Sequence, residues 1–245
     1  MKDEWDIERL NLLVREFPWF RTKNADERGP RYDGFALFNY EKAKLARGNP
    51  DQEYINSLIF EFKENDDAAV EVVSAIAKSA LEELIQGSWK SHALPAPTDP
   101  EGEKWAHTAG DREGMGGAGW FDRELVAIPG HLAGVGKPGT DRLAQHLESV
   151  LAELLDPDHP FTYSATTTLE RYISLPEASR IKRKSIPEHL RTIRVNATPG
   201  TEQKRFVLMD DVYTTGATFE ACKQLLRHKV PSADVIGLFL AITTH

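Results

Sequence analysis

Apolar residues recur along the first third of the chain at helical spacing. Trp5, Ile7, Leu10, Leu13, Val14 and Phe17 form one stripe, and Tyr54, Ile55, Leu58 and Ile59 begin another. A polar break over residues 63–67 interrupts it, after which Ala69, Val70, Val73, Ile76, Ala77, Ala80, Leu81 and Leu84 resume at i, i+3, i+4, i+7 intervals. Asp66 or Asp67 is placed to cap this later helix. Between the stripes, residues 32–40 (YDGFALFNY) fit either a short strand or a buried loop. Residues 1–90 therefore read as a mostly helical segment whose apolar stripes face a core.

The pattern then changes twice. Residues 91–122 are a polar connector with Pro95, Pro97 and Pro100 followed by Gly110, Gly114, Gly116, Gly117 and Gly119, a composition that predicts a long loop, either a functional lid or a mobile link. From residue 123 short apolar runs alternate with helical ones. Residues 125–128 predict a strand ending at Pro129-Gly130. Thr140 can cap a helix with the stripe Leu143, Leu147, Val150, Leu151 and Leu154. Threonine-rich residues 161–169 predict a second strand, residues 205–209 (RFVLM) a buried one, residues 218–227 a helix and residues 235–242 a last strand. This alternation predicts an α/β fold, a mostly parallel sheet flanked by helices, over residues 123–245.

Composition narrows the function classes. The chain has 245 residues, 30 basic and 38 acidic, for a net charge of −8. No apolar run approaches the roughly 18 residues that would span a bilayer, so no membrane partner is expected. The N-terminus, MKDEWDIERL, has no apolar segment of the secretory kind. Cys222 is the single cysteine, which excludes intramolecular disulfides and cysteine-built zinc clusters and fits a reducing, cytoplasmic setting. An acidic chain is not expected to be a dedicated nucleic-acid binder. Homo-oligomerisation stays open.

The stretch that carries chemistry is residues 206–218, FVLMDDVYTTGAT. Four apolar residues suit a strand buried in mid-sheet. Asp210 and Asp211 follow at its carboxyl end, where open α/β sheets bind ligands. Thr214, Thr215, Gly216, Ala217 and Thr218 then open a helix. Glycine permits an unusual backbone angle, threonine hydroxyls donate, and the helix N-terminus is positive, which together make a phosphate cradle. Adjacent carboxylates accept hydrogen bonds from vicinal hydroxyls. An acid pair beside a phosphate cradle thus points to a ligand with a sugar diol and a phosphate. The bland reading, a helix cap in a solvated turn, accounts for the acids or the turn separately but not for the whole string.

This string resembles the 13-residue motif that binds 5-phosphoribosyl-1-pyrophosphate (PRPP) in type I phosphoribosyltransferases, and is most similar to the ComF-like branch of that family. Tyr213 stands where many members have an aliphatic residue. The resemblance covers residues 123–245. It implies that Asp210 and Asp211 contact the ribose hydroxyls and that Thr214, Thr215, Gly216, Ala217 and Thr218 wrap the 5′-phosphate. It also implies a pyrophosphate loop after the first core strand, here Gly130, His131, Gly134, Gly136 and Lys137, with less arginine than ComF-like chains carry. A mobile basic loop would close over the leaving group. Residues 171–194 hold Arg171, Arg180, Lys182, Arg183, Lys184, Arg191 and Arg194, and Lys182, Arg183 and Lys184 would form its tip. His131 and Lys137 also fit ordinary surface positions, and a basic run also fits a solvated face. The zinc ribbon that begins ComF-like proteins has no counterpart here.

By the same resemblance the reaction is transfer of phosphoribose from PRPP to a small-molecule acceptor with release of pyrophosphate. Asp210, Asp211 and Arg171 would be catalytic. Magnesium would arrive on the substrate, bound through phosphates and waters. Members acting on 6-oxopurines have an aspartate three residues after the second acid, where this chain has Thr214, so such an acceptor is not expected. Two other readings stand beside the enzyme: a non-catalytic regulatory protein that senses PRPP or a nucleotide, and an interaction scaffold built on the N-terminal helices.

Overall fold

The computed structural model describes residues 5–13, 19–20, 34–41, 43–85, 121–154, 161–175, 185–196, 205–231 and 233–243. Strands β1 (Trp19–Phe20), β2 (Gly34–Tyr40), β3 (Phe121–Ala127), β4 (Phe161–Thr166), β7 (Arg205–Tyr213) and β8 (Asp234–Thr243) form one sheet in the order β1-β2-β8-β7-β3-β4. Every neighbouring pair is parallel except β1 with β2. Strands β5 (Leu169–Arg171) and β6 (Ile193–Val195) pair separately as an antiparallel ribbon. The helices among the described residues are α1 (Ile7–Leu13), α2 (Ala43–Ala46), α3 (Pro50–Lys63), α4 (Asp67–Ile85), α5 (Pro138–Leu154), α6 (Ile186–Leu190) and α7 (Ala217–Lys229). The protein is therefore an α/β fold with a mostly parallel sheet flanked by helices. Among the described residues no helix is long and apolar enough to cross a membrane.

The pleat of β7 explains its place at the centre. Side chains alternate between faces along a strand, and β7 is apolar on both. Val207 and Met209 join Ile59, Phe62, Val73, Leu143 and Leu147 in a core beneath α3, α4 and α5. Phe206 and Leu208 join Phe219, Cys222 and Leu226 of α7, with Leu169 and Ile193 of the ribbon, on the opposite face. The α3 and α4 stripes are core, as their periodicity predicts: Ile55, Leu58, Ile59 and Phe62 of α3 and Val70, Val73, Ile76 and Ala77 of α4 are all buried, whereas in the first stripe Leu10 is buried and Ile7 is exposed.

Several boundaries differ from the sequence expectation. Residues 34–40 are a strand, and it pairs with β8 from Gly34↔Gly237 to Tyr40↔Thr243, so part of the N-terminal segment belongs to the sheet. Of the two candidate caps for α4, Asp66 serves: its Oδ1 accepts from Ala69 N at 3.1 Å. Helix α5 starts at Pro138, not at a Thr140 cap, because proline already has the backbone angle of a first helical residue. The run over 161–169 is two strands in two sheets. The bend falls where Thr168 turns inward and donates to the buried Glu124 carboxylate at 2.8 Å. Strand β7 continues past Met209 through both aspartates to Tyr213. The connector expected over 91–122 lies outside the described residues apart from Phe121 and Asp122, which open β3.

The topology fixes where a site can form. The β3-α5-β4 crossover runs over the α3/α4 face, whereas α7 links β7 to β8 across the other. Adjacent strands β3 and β7 thus send their connections to opposite faces, which opens a crevice beyond their carboxyl ends. Pairing of β3 with β7 stops at Ala127↔Met209, closed by Ile128 N to Met209 O at 2.8 Å. Beyond it, among the described residues, β7 is paired only with β8, and Asp210 and Asp211 border the gap. Because Leu208 is fully buried in this central strand, Leu208→Ala should lower stability by about 2–5 kcal/mol. Phe60→Ala, at an exposed position on α3, should change it by less than about 0.5 kcal/mol. Urea unfolding of both variants checks the contrast.

Candidate functional site

Asp210 and Asp211 are adjacent on β7, yet one ammonium reaches both. Lys137 Nζ bonds to Asp210 Oδ1 and lies 3.2 Å from Asp211 Oδ1. A second ammonium, Lys63 at the end of α3, lies 3.2 Å from Asp211 Oδ2. Backbone donors complete the anchoring: Asp211 N–H donates to Asp210 Oδ1 at 2.8 Å, and Val212 N–H to Asp211 Oδ1 at 2.7 Å.

Local sequence brings these groups together. Lys137 immediately precedes Pro138, so the first turn of α5 fixes its direction. Gly139 follows in that turn, and a side chain there would meet the Phe62 carbonyl, with the Phe62 carbonyl carbon 3.3 Å from the Cβ position. The missing side chain lets the start of α5 press against the last turn of α3. Lys63, the residue after Phe62, is thereby delivered to Asp211.

The charges shift one another. Burial raises the Asp210 pKa and the neighbouring Asp211 carboxylate adds to the rise; Lys137 opposes both, and the result is a pKa of about 7. Burial also works against ionised Asp211, but Lys137 and Lys63 outweigh it and hold that carboxyl below the usual range. Lys137 is disfavoured by burial and held protonated by the two aspartates, which raise its pKa. Asp211 is thus the lasting counter-ion of Lys137, and Asp210 is the group that gains or loses a proton near neutrality.

The turn after β7 has the unusual backbone angle expected at its glycine. Thr214 and Thr215 are exposed. Gly216 sits in the left-handed region at φ 74° and caps α7, which begins at Ala217. The Tyr213 ring lies over this glycine, with its Cζ 2.6 Å from where a Cβ would be, and packs edge-on to Phe239 with centroids 5.1 Å apart. The tyrosine closes over Gly216 and excludes any larger residue there. At the far end of the turn, Thr218 Oγ1 lies 3.2 Å from His189 Nε2.

His189 connects this turn to the other expected anion element. Its Nδ1 is 3.3 Å from Arg171 Nη2. A guanidinium only donates, so Nδ1 accepts; in the neutral ring Nε2 then carries the proton and donates to Thr218. The Thr218 hydroxyl is left to direct its own proton elsewhere. Arg171 also donates from Nε to Gly130 O and from Nη1 to Thr192 Oγ1 at 2.5 Å. It is 2% exposed, a buried tie between loop 128–137 and the ribbon, in contrast to the closing loop group expected at this position.

The remaining expected residues divide. Lys137 reaches the acid pair. Gly130 contributes its carbonyl to Arg171, and His131 is exposed, its carbonyl accepting from Leu175 N at 2.8 Å. Gly134 donates its N–H to Arg171 O at 3.0 Å, so the loop is pinned to the end of β5. Lys182, Arg183 and Lys184 lie outside the described residues. Lys63 and His189 were not singled out from the sequence. Lys63 looks like a charge at a helix end, and no spacing rule links it to an aspartate so far along the chain. His189 lies in the basic stretch, where its arginine neighbours are the stronger signal.

No protein-family model matches the chain, and a search of curated proteins finds no match.

Because the folded pKa of Asp210 lies above its unfolded value of about 3.8, its contribution to stability is full below that value and is lost as pH rises through 7. Asp211 has the opposite sign: its contribution is present above its unfolded value and is lost as pH falls below it. Asp210→Asn, which cannot ionise, should therefore gain stability relative to the wild type as pH is raised from 4 to 8. Urea unfolding at a series of pH values across that range reads the trend.

Proposed function

We propose that the protein is a type I phosphoribosyltransferase-like enzyme that binds PRPP and transfers phosphoribose to a small-molecule acceptor, releasing pyrophosphate. The observation that carries this reading is one continuous piece of chain. Strand β7 delivers two adjacent carboxylates into the crevice beyond β3, and three residues later a threonine-glycine turn with Gly216 at φ 74° opens α7. The carboxylates suit a vicinal diol and the turn suits a phosphate, so a ribose 5-phosphate spans the two.

Leaving-group chemistry follows from the same crevice. Departure of pyrophosphate leaves positive charge on the ribose ring, as in glycoside hydrolysis. Carboxylates beneath the ring stabilise that charge, and ammonium groups stabilise the departing anion. Lys137 is the loop cation at hand. Among the described residues no cluster of three or more His, Cys, Asp or Glu side chains could hold a metal ion. An acid pair suits magnesium that arrives on the phosphates and keeps its waters.

A specific observation also supports a sensor without catalysis. Arg171 is committed to Gly130, Thr192 and His189, and Lys137 to the acids. Pyrophosphate release from PRPP across a panel of nucleobases separates the readings: an enzyme turns over with at least one base, whereas a sensor binds PRPP and releases nothing. In either case Asp211→Asn should weaken binding of magnesium-PRPP by at least about tenfold, since hydrogen bonds to charged groups contribute about 1.5–3 kcal/mol. Calorimetric titration measures this, and unchanged affinity would remove the ribose-diol assignment.

A further inference from the structure

We infer that Lys63, at the end of α3, binds the diphosphate end of the ligand, so that the N-terminal segment supplies a specificity-determining residue of the site; the inference rests on the PRPP reading. Lys137 is the single lysine or arginine between Ile128 and Arg142, which leaves that loop with little charge for a diphosphate. Lys63 lies at the mouth of the same crevice, 3.2 Å from Asp211 Oδ2. Its side chain is 45% exposed, against 26% for Lys137 and 10% and 16% for the aspartates. It is thus the outermost member of the cluster, and the approach of Gly139 to Phe62 holds its backbone in place.

Charge balance gives this position a purpose. With Asp210 ionised, the two aspartates and Lys137 alone would present a net negative site to a polyanion. Lys63 brings the sum to zero. When ribose hydroxyls approach Asp211, they compete with Lys63 for the same oxygen. An ion pair at a partly exposed rim is weak, so it yields. The ammonium freed on a long flexible stem then meets the phosphates that enter beside it. Lys137, more enclosed and bonded to both acids, keeps its place between the carboxylates and acts on the leaving group from there, so Lys63 is the cation that moves.

The test uses the full-length chain with magnesium, titrated calorimetrically with PRPP and separately with ribose 5-phosphate, which has the ring and the 5′-phosphate but no diphosphate. Lys63→Gln should weaken PRPP binding by about tenfold and change ribose 5-phosphate binding by less than about twofold, while Lys63→Arg restores most of the PRPP affinity. Retained ribose 5-phosphate binding also shows that the variant is folded. Wild-type PRPP affinity in Lys63→Gln would overturn the role of Lys63 and leave the functional reading standing. Equal loss of both ligands would overturn the diphosphate assignment, because Lys63 would then act through the acid pair. A wild-type protein that binds neither compound would overturn the functional reading, and this inference with it.

Discussion

Two carboxylates placed side by side at the inner end of a central strand cannot both stay ionised unless cations are brought to them. That requirement organises the molecule around residues 210 and 211. Isolated buried charge is strongly unfavourable, and like charges in contact raise one another's pKa. The chain answers with Lys137 bonded to both acids and Lys63 on the outer oxygen of Asp211. For Lys137 to arrive, loop 128–137 must fold back from the end of β3. Arg171 holds it there through the Gly130 carbonyl. For Lys63 to arrive, α3 must run into the start of α5, which Gly139 allows.

The site is consequently assembled from distant parts of the sequence. Strand β7 gives the acids, the start of α7 the turn, the end of β3 and the start of α5 the lysine loop, and α3 the outer lysine. The helices of the first third are not an appendage to this sheet. They cover one of its faces, through Ile59, Phe62 and Val73 against Val207 and Met209, and reach into the crevice. The opposite face is held by α7, α6 and the ribbon, where His189 joins Thr218 of the turn to Arg171 beneath the loop. The turn after β7 and loop 128–137 therefore rest on one chain of hydrogen bonds.

How much of this could be read from residues alone depended on how local the determining interaction is. The β7–turn–α7 unit was readable because the apolar run, the acids and the glycine act on their own neighbours. The α3 and α4 stripes were readable for the same reason: 3.6-residue periodicity is a local signal. The strand over 34–40 was half readable. Its GFALF core is apolar, but only pairing with β8 decides strand over loop. The break between β4 and β5 was hidden, because Thr166, Thr167 and Thr168 all favour strand and the bend is set by Glu124, from another strand, accepting from Thr166 and Thr168. Lys63 and the burial of Arg171 were hidden too. Each is defined by a partner on another element, and a basic side chain in sequence does not disclose which acid or carbonyl it will meet.

The place of β2 in the sheet has a consequence for how the chain acquires its structure. It pairs with β8, so Gly34 meets Gly237 and Tyr40 meets Thr243, residues separated by most of the sequence. Contacts of such long range slow folding, because chain entropy is lost before the contacts form. During synthesis the N-terminal helices leave the ribosome with the apolar faces of Ile59 and Val73 lacking the strands that later cover them. Strand β8 emerges after the strands it joins, and β2 reaches the rest of the sheet only through it. Entry of β2 into the sheet therefore waits for β8, although α3 and α4 can meet α5 and β7 before it.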